Sequence, residues 1–435
     1  MTPLSAFRLN RRNFLRALAA QSAFLAARPR LAGATTNYTV GVGNNSDSYT
    51  AAQTAIAASG QFPSVAGQTV IIKPNLVIAA ASTTGITTDP QVVRAIVDLA
   101  LAGNPKQIII AEGSCAPSAP FGPCGYEFFL SYANPPSLIQ LVDLTTQGLA
   151  AVSVSPAGGL VYNKVWIPAL LTEPNTVFIS AAKLKTHESA GASLSMKNLV
   201  GIAAPKKYNV PALRLYERQD LHLRGIDEAI IDLIRVRPVD FAVIDGVWGM
   251  QGQGPTMGTA IQANLVFAGL NPTAVDVVAL NAIQIPQSSV PYMLYAGAFN
   301  IGPTSLSDIT VTGDTYTPVP FTPAVTAPIV WRPTITPTAI GPGQTATITY
   351  RIPAACYTLV EIISDPDKAP AVTVVNTLQN WTMLNAGNQT ITWNGTDSTG
   401  MPVAPGLYLV NIVTESALNE SFTNQNYASS MIQVT

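Results

Sequence analysis

Ionisable side chains are scarce in this chain. Only 11% of its 435 residues are Asp, Glu, Lys or Arg, and it carries two histidines and three cysteines. A net charge of −1 leaves no basic excess for a nucleic-acid partner. Three cysteines without ligand spacing exclude a ferredoxin module, and no haem-attachment pattern is present, so there is no iron–sulfur or haem motif. A Gly-x-Ser-x-Gly nucleophile elbow and a Gly-Lys-Ser/Thr phosphate loop are both missing, which disfavours those hydrolase and nucleotide-binding classes. Long apolar runs are missing too. The segment Ala17 to Ala27 is too short to hold the chain in a bilayer.

What surrounds that segment is informative. Asn10-Arg-Arg-Asn-Phe-Leu-Arg16 precedes it, and Ala32-Gly-Ala34 follows as a small-residue cleavage pattern. Residues 1–34 resemble a twin-arginine signal peptide. The resemblance implies a prokaryotic protein delivered by the twin-arginine export machinery to the periplasm or the outside. No transmembrane anchor would remain after cleavage.

From 35 to 314, short apolar strands alternate with helices. Val70–Lys73, Gln107–Ala111, Thr176–Ala181 and Phe241–Ile244 read as strands apolar on both faces. Asp89-Pro90 supplies a cap and a first-turn proline for a helix that stops at Gly103. The expected fold is α/β, a mainly parallel sheet covered by helices. Residues 315–338 hold six prolines and no periodicity, and read as an extended linker. Residues 339–435 contain short, partly alternating strands separated by turn residues, which predicts a small all-β sandwich. Cys115 and Cys124 share the Pro/Gly-rich stretch 113–125, and in an oxidising compartment they would form a local disulfide or stay as thiols.

Five of the nine lysines fall between Lys183 and Lys207, together with His187, where a strand is expected to give way to a loop. Open α/β sheets bind ligands at such strand ends. The expected ligand is a small anion. Lys185 and His187 are the candidate catalytic groups, because a lysine neutralises negative charge and a histidine moves a proton near neutral pH. Lys73, Asn75, Lys183, Lys197 and Asn198 are candidate ligand contacts, with Gly252 and Gly254 offering backbone amides from the glycine-rich stretch Gly246–Gly258. No spacing demands a metal. Glu112, Asp245, Asp276 and His222 are the weak candidates should a divalent ion bind. The cofactor stays unknown. The competing reading is a non-catalytic envelope binding or scaffold protein attached through its β-sandwich.

Several motifs occur in order: Ile72-Lys-Pro-Asn-Leu76, Thr87-Thr-Asp-Pro-Gln-Val-Val-Arg-Ala95, Glu112-Gly-Ser114, Lys183-Leu-Lys-Thr-His187, Lys197-Asn-Leu-Val-Gly201 and Asp245-Gly-Val-Trp-Gly249. Through them, Tyr38 to Asp314 resembles the domain of unknown function 362 family. Some relatives carry ferredoxin-type cysteine clusters, which this chain lacks. Gly387-Asn-Gln-Thr-Ile-Thr-Trp-Asn-Gly-Thr-Asp-Ser-Thr-Gly400 and Val403-Ala-Pro-Gly-Leu-Tyr408 are similar to the immunoglobulin-like domain of flagellar hook-capping proteins. That resemblance implies a module found on exported proteins, with Trp393 and Tyr408 in its core.

Overall fold

The computed structural model describes residues 38–145, 149–209, 218–364, 373–418 and 424–435. The predicted signal segment 1–34 lies outside them. No described helix is long and apolar enough to cross a membrane.

The strands β1 (Tyr38–Asn44), β2 (Thr69–Lys73), β3 (Gln107–Glu112), β4 (Ile139–Asp143), β7 (Thr176–His187), β9 (Phe241–Gln251), β10 (Thr259–Gly269) and β11 (Ile309–Gly313) form one mixed sheet. Their order is β11-β1-β10-β9-β7-β2-β3-β4, with the short β8 (Gly191–Ser193) paired to β7. β9, β7, β2, β3 and β4 run parallel, while β10 runs against its neighbours. A separate ribbon, β5 (Ala151–Val154) with β6 (Val165–Pro168), lies outside this sheet.

Alternation along the strands assigns each residue to one of two cores. Val70, Ile72, Ile108, Ile110, Val177 and Ile179 pack with the helices Ser48–Ser59 and Pro90–Ala102. Ile71, Ile109 and Phe178 face the opposite side, with the helices Ile226–Val236, Pro272–Ala282 and Pro291–Ala298. Both faces are covered, which is why these strands read as continuous apolar runs. The Pro90–Ala102 helix begins as its sequence requires: the Asp89 carboxylate accepts the Gln91 N–H at 2.8 Å.

Beyond β11, the segment 315–333 is irregular but pinned. Phe321 is buried in the α/β core, and Val319 and Phe321 donate N–H bonds to the carbonyls of Ala282 and Ile283. Next come β12 (Thr334–Thr336), β13 (Ala339–Ile340), β14 (Ala346–Ile352), β15 (Cys356–Ile363), β16 (Val374–Leu384), β17 (Gly387–Trp393), β18 (Gly406–Glu415) and β19 (Gln425–Val434). They make two sheets, β12-β14-β17 and β13-β19-β18-β15-β16, around one core containing Ile348, Ile362, Trp393 and Ile412. The 226–236 helix packs on β19.

Candidate functional site

The parallel strands set the site's position. From β2 the chain moves to β3 and β4 on one side, then crosses over to β7 and β9 on the other. The order therefore reverses between β2 and β7, and the crevice at the carboxyl ends of these two strands is where such sheets bind ligands. A cavity of about 440 Å³ opens there. Lys73 and Asn75 after β2, Glu112 and Cys115 after β3, and His187 at the end of β7 line it. Lys197, Asn198, Arg218 and His222 close a second wall, and Pro255–Met257 form a rim.

The lysine cluster does not lie on a loop, as its polarity suggested. β7 runs on through His187 and turns back into β8, and every residue of the strand from Val177 onward is buried. Its register with β9 breaks in the middle: Lys183 lies opposite Asp245, and Lys185 opposite Met250. Five residues of β9 are thus spent where β7 spends two, and the sequence Gly246-Val-Trp-Gly249 takes up the slack. This irregularity gives two lysines of similar appearance, Lys183 and Lys185, different partners.

Lys183 pairs with Asp245 at 2.8 Å, both fully buried, and does not line the cavity. Asp245 also accepts the Asp89 N–H at 2.8 Å. Lys185 is not a wall residue either, since its Nζ donates to the Ile86 carbonyl at 2.8 Å. Burial lowers its pKa to about 7, with the nearby Lys197 adding to the shift. Neither lysine is placed to touch a ligand directly, which corrects the expectation for both.

Lys73 lines the cavity but is fully engaged. Its Nζ donates to Glu112 Oε1 at 2.8 Å, Asn198 Oδ1 at 2.9 Å and the Pro74 carbonyl at 3.0 Å. Glu112 Oε2 accepts the Leu76 N–H at 2.7 Å, and Asn198 Nδ2 donates to the Lys73 carbonyl and to Ser180 Oγ. Asn75 Nδ2 reaches Asn198 Oδ1 at 3.4 Å. This network is a rigid floor. Gly201, last of the Lys197-Asn-Leu-Val-Gly motif, lies so close that a Cβ there would come 2.7 Å from Lys73 Nζ and 2.8 Å from Glu112 Oε1.

The glycine-rich stretch does not offer its amides. Gly252 N–H donates to the Thr322 carbonyl and Gly254 N–H to the Gly252 carbonyl. The weak metal candidates are also dispersed. Glu112 serves Lys73 and Asp245 serves Lys183, while Asp276 accepts from Ser195 Oγ and from the Ser195 and Met196 amides. Burial raises Asp276 to about 7. Among the described residues no three His, Cys, Asp or Glu side chains gather as a metal set.

What remains free is Lys197. It is 7% exposed, it lines the cavity, and no hydrogen-bond or ion-pair partner for its ammonium exists among the described residues. Burial lowers its pKa to about 8, against the opposing pull of Cys115, Asp227 and Glu188. His187, 4% exposed, accepts the Ser189 N–H through Nδ1 at 3.1 Å. A neutral His187 therefore carries its proton on Nε2. Its ring stacks on His222 with centroids 6.1 Å apart. Burial, and then Lys197, hold both histidines well below the ordinary range, so both rings are neutral at pH 7.

Two wall residues escaped the sequence reading. Arg218 is buried and donates to the Ala203 and Ser114 carbonyls at 2.6 and 2.8 Å. It sits just before the short helix Gln219–Leu223, in a left-handed backbone conformation, and no sequence pattern marks it. Cys115 follows the end of β3, and strand-end position was the signal there. Burial raises its thiol pKa while Arg218 and Lys197 oppose the shift. Cys115 and Cys124 are free thiols, not a disulfide: Cys115 faces the cavity and Cys124 Sγ lies against the Ile78 carbonyl at 3.7 Å.

Two contacts tie the C-terminal sheets to these walls. Asn426 Nδ2 donates to the Ser189 carbonyl at 3.3 Å, and Asn411 Nδ2 to the Leu223 carbonyl at 3.2 Å. Each acceptor lies next to or near a cavity histidine.

Among known proteins, the chain is 25% identical over 129 residues to the thylakoid-associated protein sll1697 of Synechocystis. That stretch covers 30% of this chain and 39% of the relative's length. A solved Thermotoga maritima structure is similar at a TM-score of 0.30 and 14% identity, covering 51% of this chain and 55% of that one. FlgD from Pseudomonas aeruginosa is similar at a TM-score of 0.18 and 18% identity, over 25% of this chain and 76% of that one. Residues 70–281, which contain every wall of the cavity, match the family described as domain of unknown function (DUF362).

Proposed function

We propose that this is an exported protein whose α/β unit binds, and processes, a small anionic ligand in the switch-point cavity. One observation carries the reading: Lys197 is a buried ammonium, facing a cavity, with no partner of its own. An uncompensated buried cation is costly, and a bound anion removes the cost. His187 would donate its Nε2 proton to the same ligand. The arriving negative charge would raise the pKa of that ring toward neutrality, where proton transfer is effective. Val77, Ile78 and Met257 would cover an apolar part of the ligand.

Phosphate, sulfate and a short carboxylate, each titrated against thermal unfolding, test this. One of them is expected to stabilise the wild-type chain by about 2.7 kcal/mol at a hundredfold excess over its dissociation constant. Lys197→Ala should remove that gain, whereas Lys106→Ala, on the exposed surface, should not. Equal stabilisation of both variants would return the cavity to a structural role.

The same proposal includes twin-arginine export, resting on Arg11-Arg12, and an immunoglobulin-like identity for the C-terminal sheets. A mature protein beginning after Ala34 is the expected result of N-terminal sequencing, and a cytoplasmic full-length chain would contradict it. The non-catalytic scaffold reading gains nothing from the way the sheets are docked. A module serving only as an attachment has no need to hydrogen-bond the turns beside His187 and His222.

A further inference from the structure

We propose that Lys197 is an amine nucleophile and that the ligand is a small oxo acid, held through its carbonyl carbon as a Schiff base. The inference deepens the anion reading and relies on it only for the acid half of the ligand.

Geometry makes the case. A lysine kept solely to attract anions is best left charged and partly solvated, or paired so that its position is fixed. Lys197 is neither. It stands in a cavity of about 440 Å³, and Glu188 and Asp227, which act on its charge, make no ion pair with it. A second buried lysine, Lys185, and two neutral histidines are close enough to influence or be influenced by its charge. Desolvation in an apolar-walled pocket is what keeps an amine unprotonated and nucleophilic, and burial is what lowers Lys197. With its pKa lowered to about 8, roughly a tenth of Lys197 is neutral at pH 7, against about one part in three thousand for an unperturbed lysine.

The step balances with the amine, the carbonyl and solvent protons. The Lys197 Nζ lone pair attacks the carbonyl carbon and the C=O π pair moves to oxygen. Transfer of one amine proton to that oxygen gives a carbinolamine. The nitrogen lone pair then expels the hydroxyl, which takes a proton from solvent and leaves as water, while His187, whose proton sits on Nε2, orients that hydroxyl by a hydrogen bond. The iminium nitrogen returns its proton to solvent, leaving C=N. The sum is carbonyl plus amine giving imine plus water, with no oxidant or reductant. Arg218 and Cys115 also line this space. A Cys115 thiohemiacetal is the competing adduct, and hydride does not trap it.

Full-length protein incubated with pyruvate or glyoxylate and cyanoborohydride at pH 7.5, then digested for mass spectrometry, is the test. Lys197 is expected to gain the reduced adduct at least tenfold faster than the exposed Lys106 and Lys206. Lys197→Arg, which keeps the charge, should lose it, and Cys115→Ser should retain it. Labelling of Lys197 no faster than the surface lysines, in wild type and Cys115→Ser alike, would overturn the proposal. Anion stabilisation without trapping would leave the binding reading standing and sink this one. Trapping without anion stabilisation would do the reverse.

Discussion

Replacing Glu112 by alanine is expected to cost about 3–5 kcal/mol of folding stability, read as a drop in the urea midpoint at pH 7. The carboxylate joins two strand ends. It holds Lys73 at the end of β2, caps the Leu76 N–H beyond it, and sits on the last residue of β3. Lys73 is 1% exposed, so removing Glu112 leaves an ammonium stranded in a dry site beside Asn198. The loss arises from the orphaned charge more than from the missing contact. Lys73→Met with Glu112→Leu, which deletes both charges, should therefore recover most of it, less the cost of the unpaired Leu76 N–H. A double variant as unstable as the single one would mean that the pair's hydrogen bonds, not its charge balance, dominate.

Lys197→Met should act in the opposite direction and stabilise the empty protein, by on the order of 3 kcal/mol at pH 7. The sign follows from proton binding. Lys197 has a pKa of about 8 in the folded chain, below its unfolded value of 10.5. Between those values the unfolded chain holds more protons, so stability rises with pH across that window and is lowest beneath it. Methionine keeps the length and apolar stem but carries no charge. The variant should gain stability at pH 7 and show a flatter profile between pH 8 and 10. Denaturant midpoints measured across that range decide it. If the variant is destabilised at pH 7, Lys197 has a hidden partner and the cavity's central premise fails. Residues kept for binding at the expense of stability are expected at functional sites.

The sheet was largely readable because its physics is local. Asp89-Pro90 and Gly103 bound a helix in the sequence, and they bound it in the structure, at Pro90–Ala102. Strands such as Gln107–Glu112, apolar on both faces, can only be buried between two helical layers. The site was readable as a neighbourhood but not as a set of roles. His187, Lys197, Asn198, Lys73 and Asn75 do come together. Lys183 and Lys185 do not join them, because the β7–β9 register break redirects their side chains, and Gly246-Val-Trp-Gly249 reads in sequence as a plain loop. Asp245 shows the same limit. A carboxylate at a strand end suggests a metal ligand, and only the fold reveals that its position opposite Lys183 already neutralises it. Residues 315–338 read as an extended linker on composition, and nothing local announces that Phe321 inserts into the core.

The two contacts from Asn411 and Asn426 bear on the order in which this chain is made. The crevice's defining strands, β2 and β7, are synthesised within the first 187 residues. The turn at Ser189 meets Asn426 only 237 residues later, and β1 waits until residues 309–313 for its parallel partner β11. A ribosome has therefore released nearly the entire polypeptide before the surroundings of either histidine are complete. Such long-range closure is slow. A chain halted between residues 313 and 426 would hold the complete main sheet and every wall of the cavity, but not the Asn426 contact that ties down the turn at Ser189.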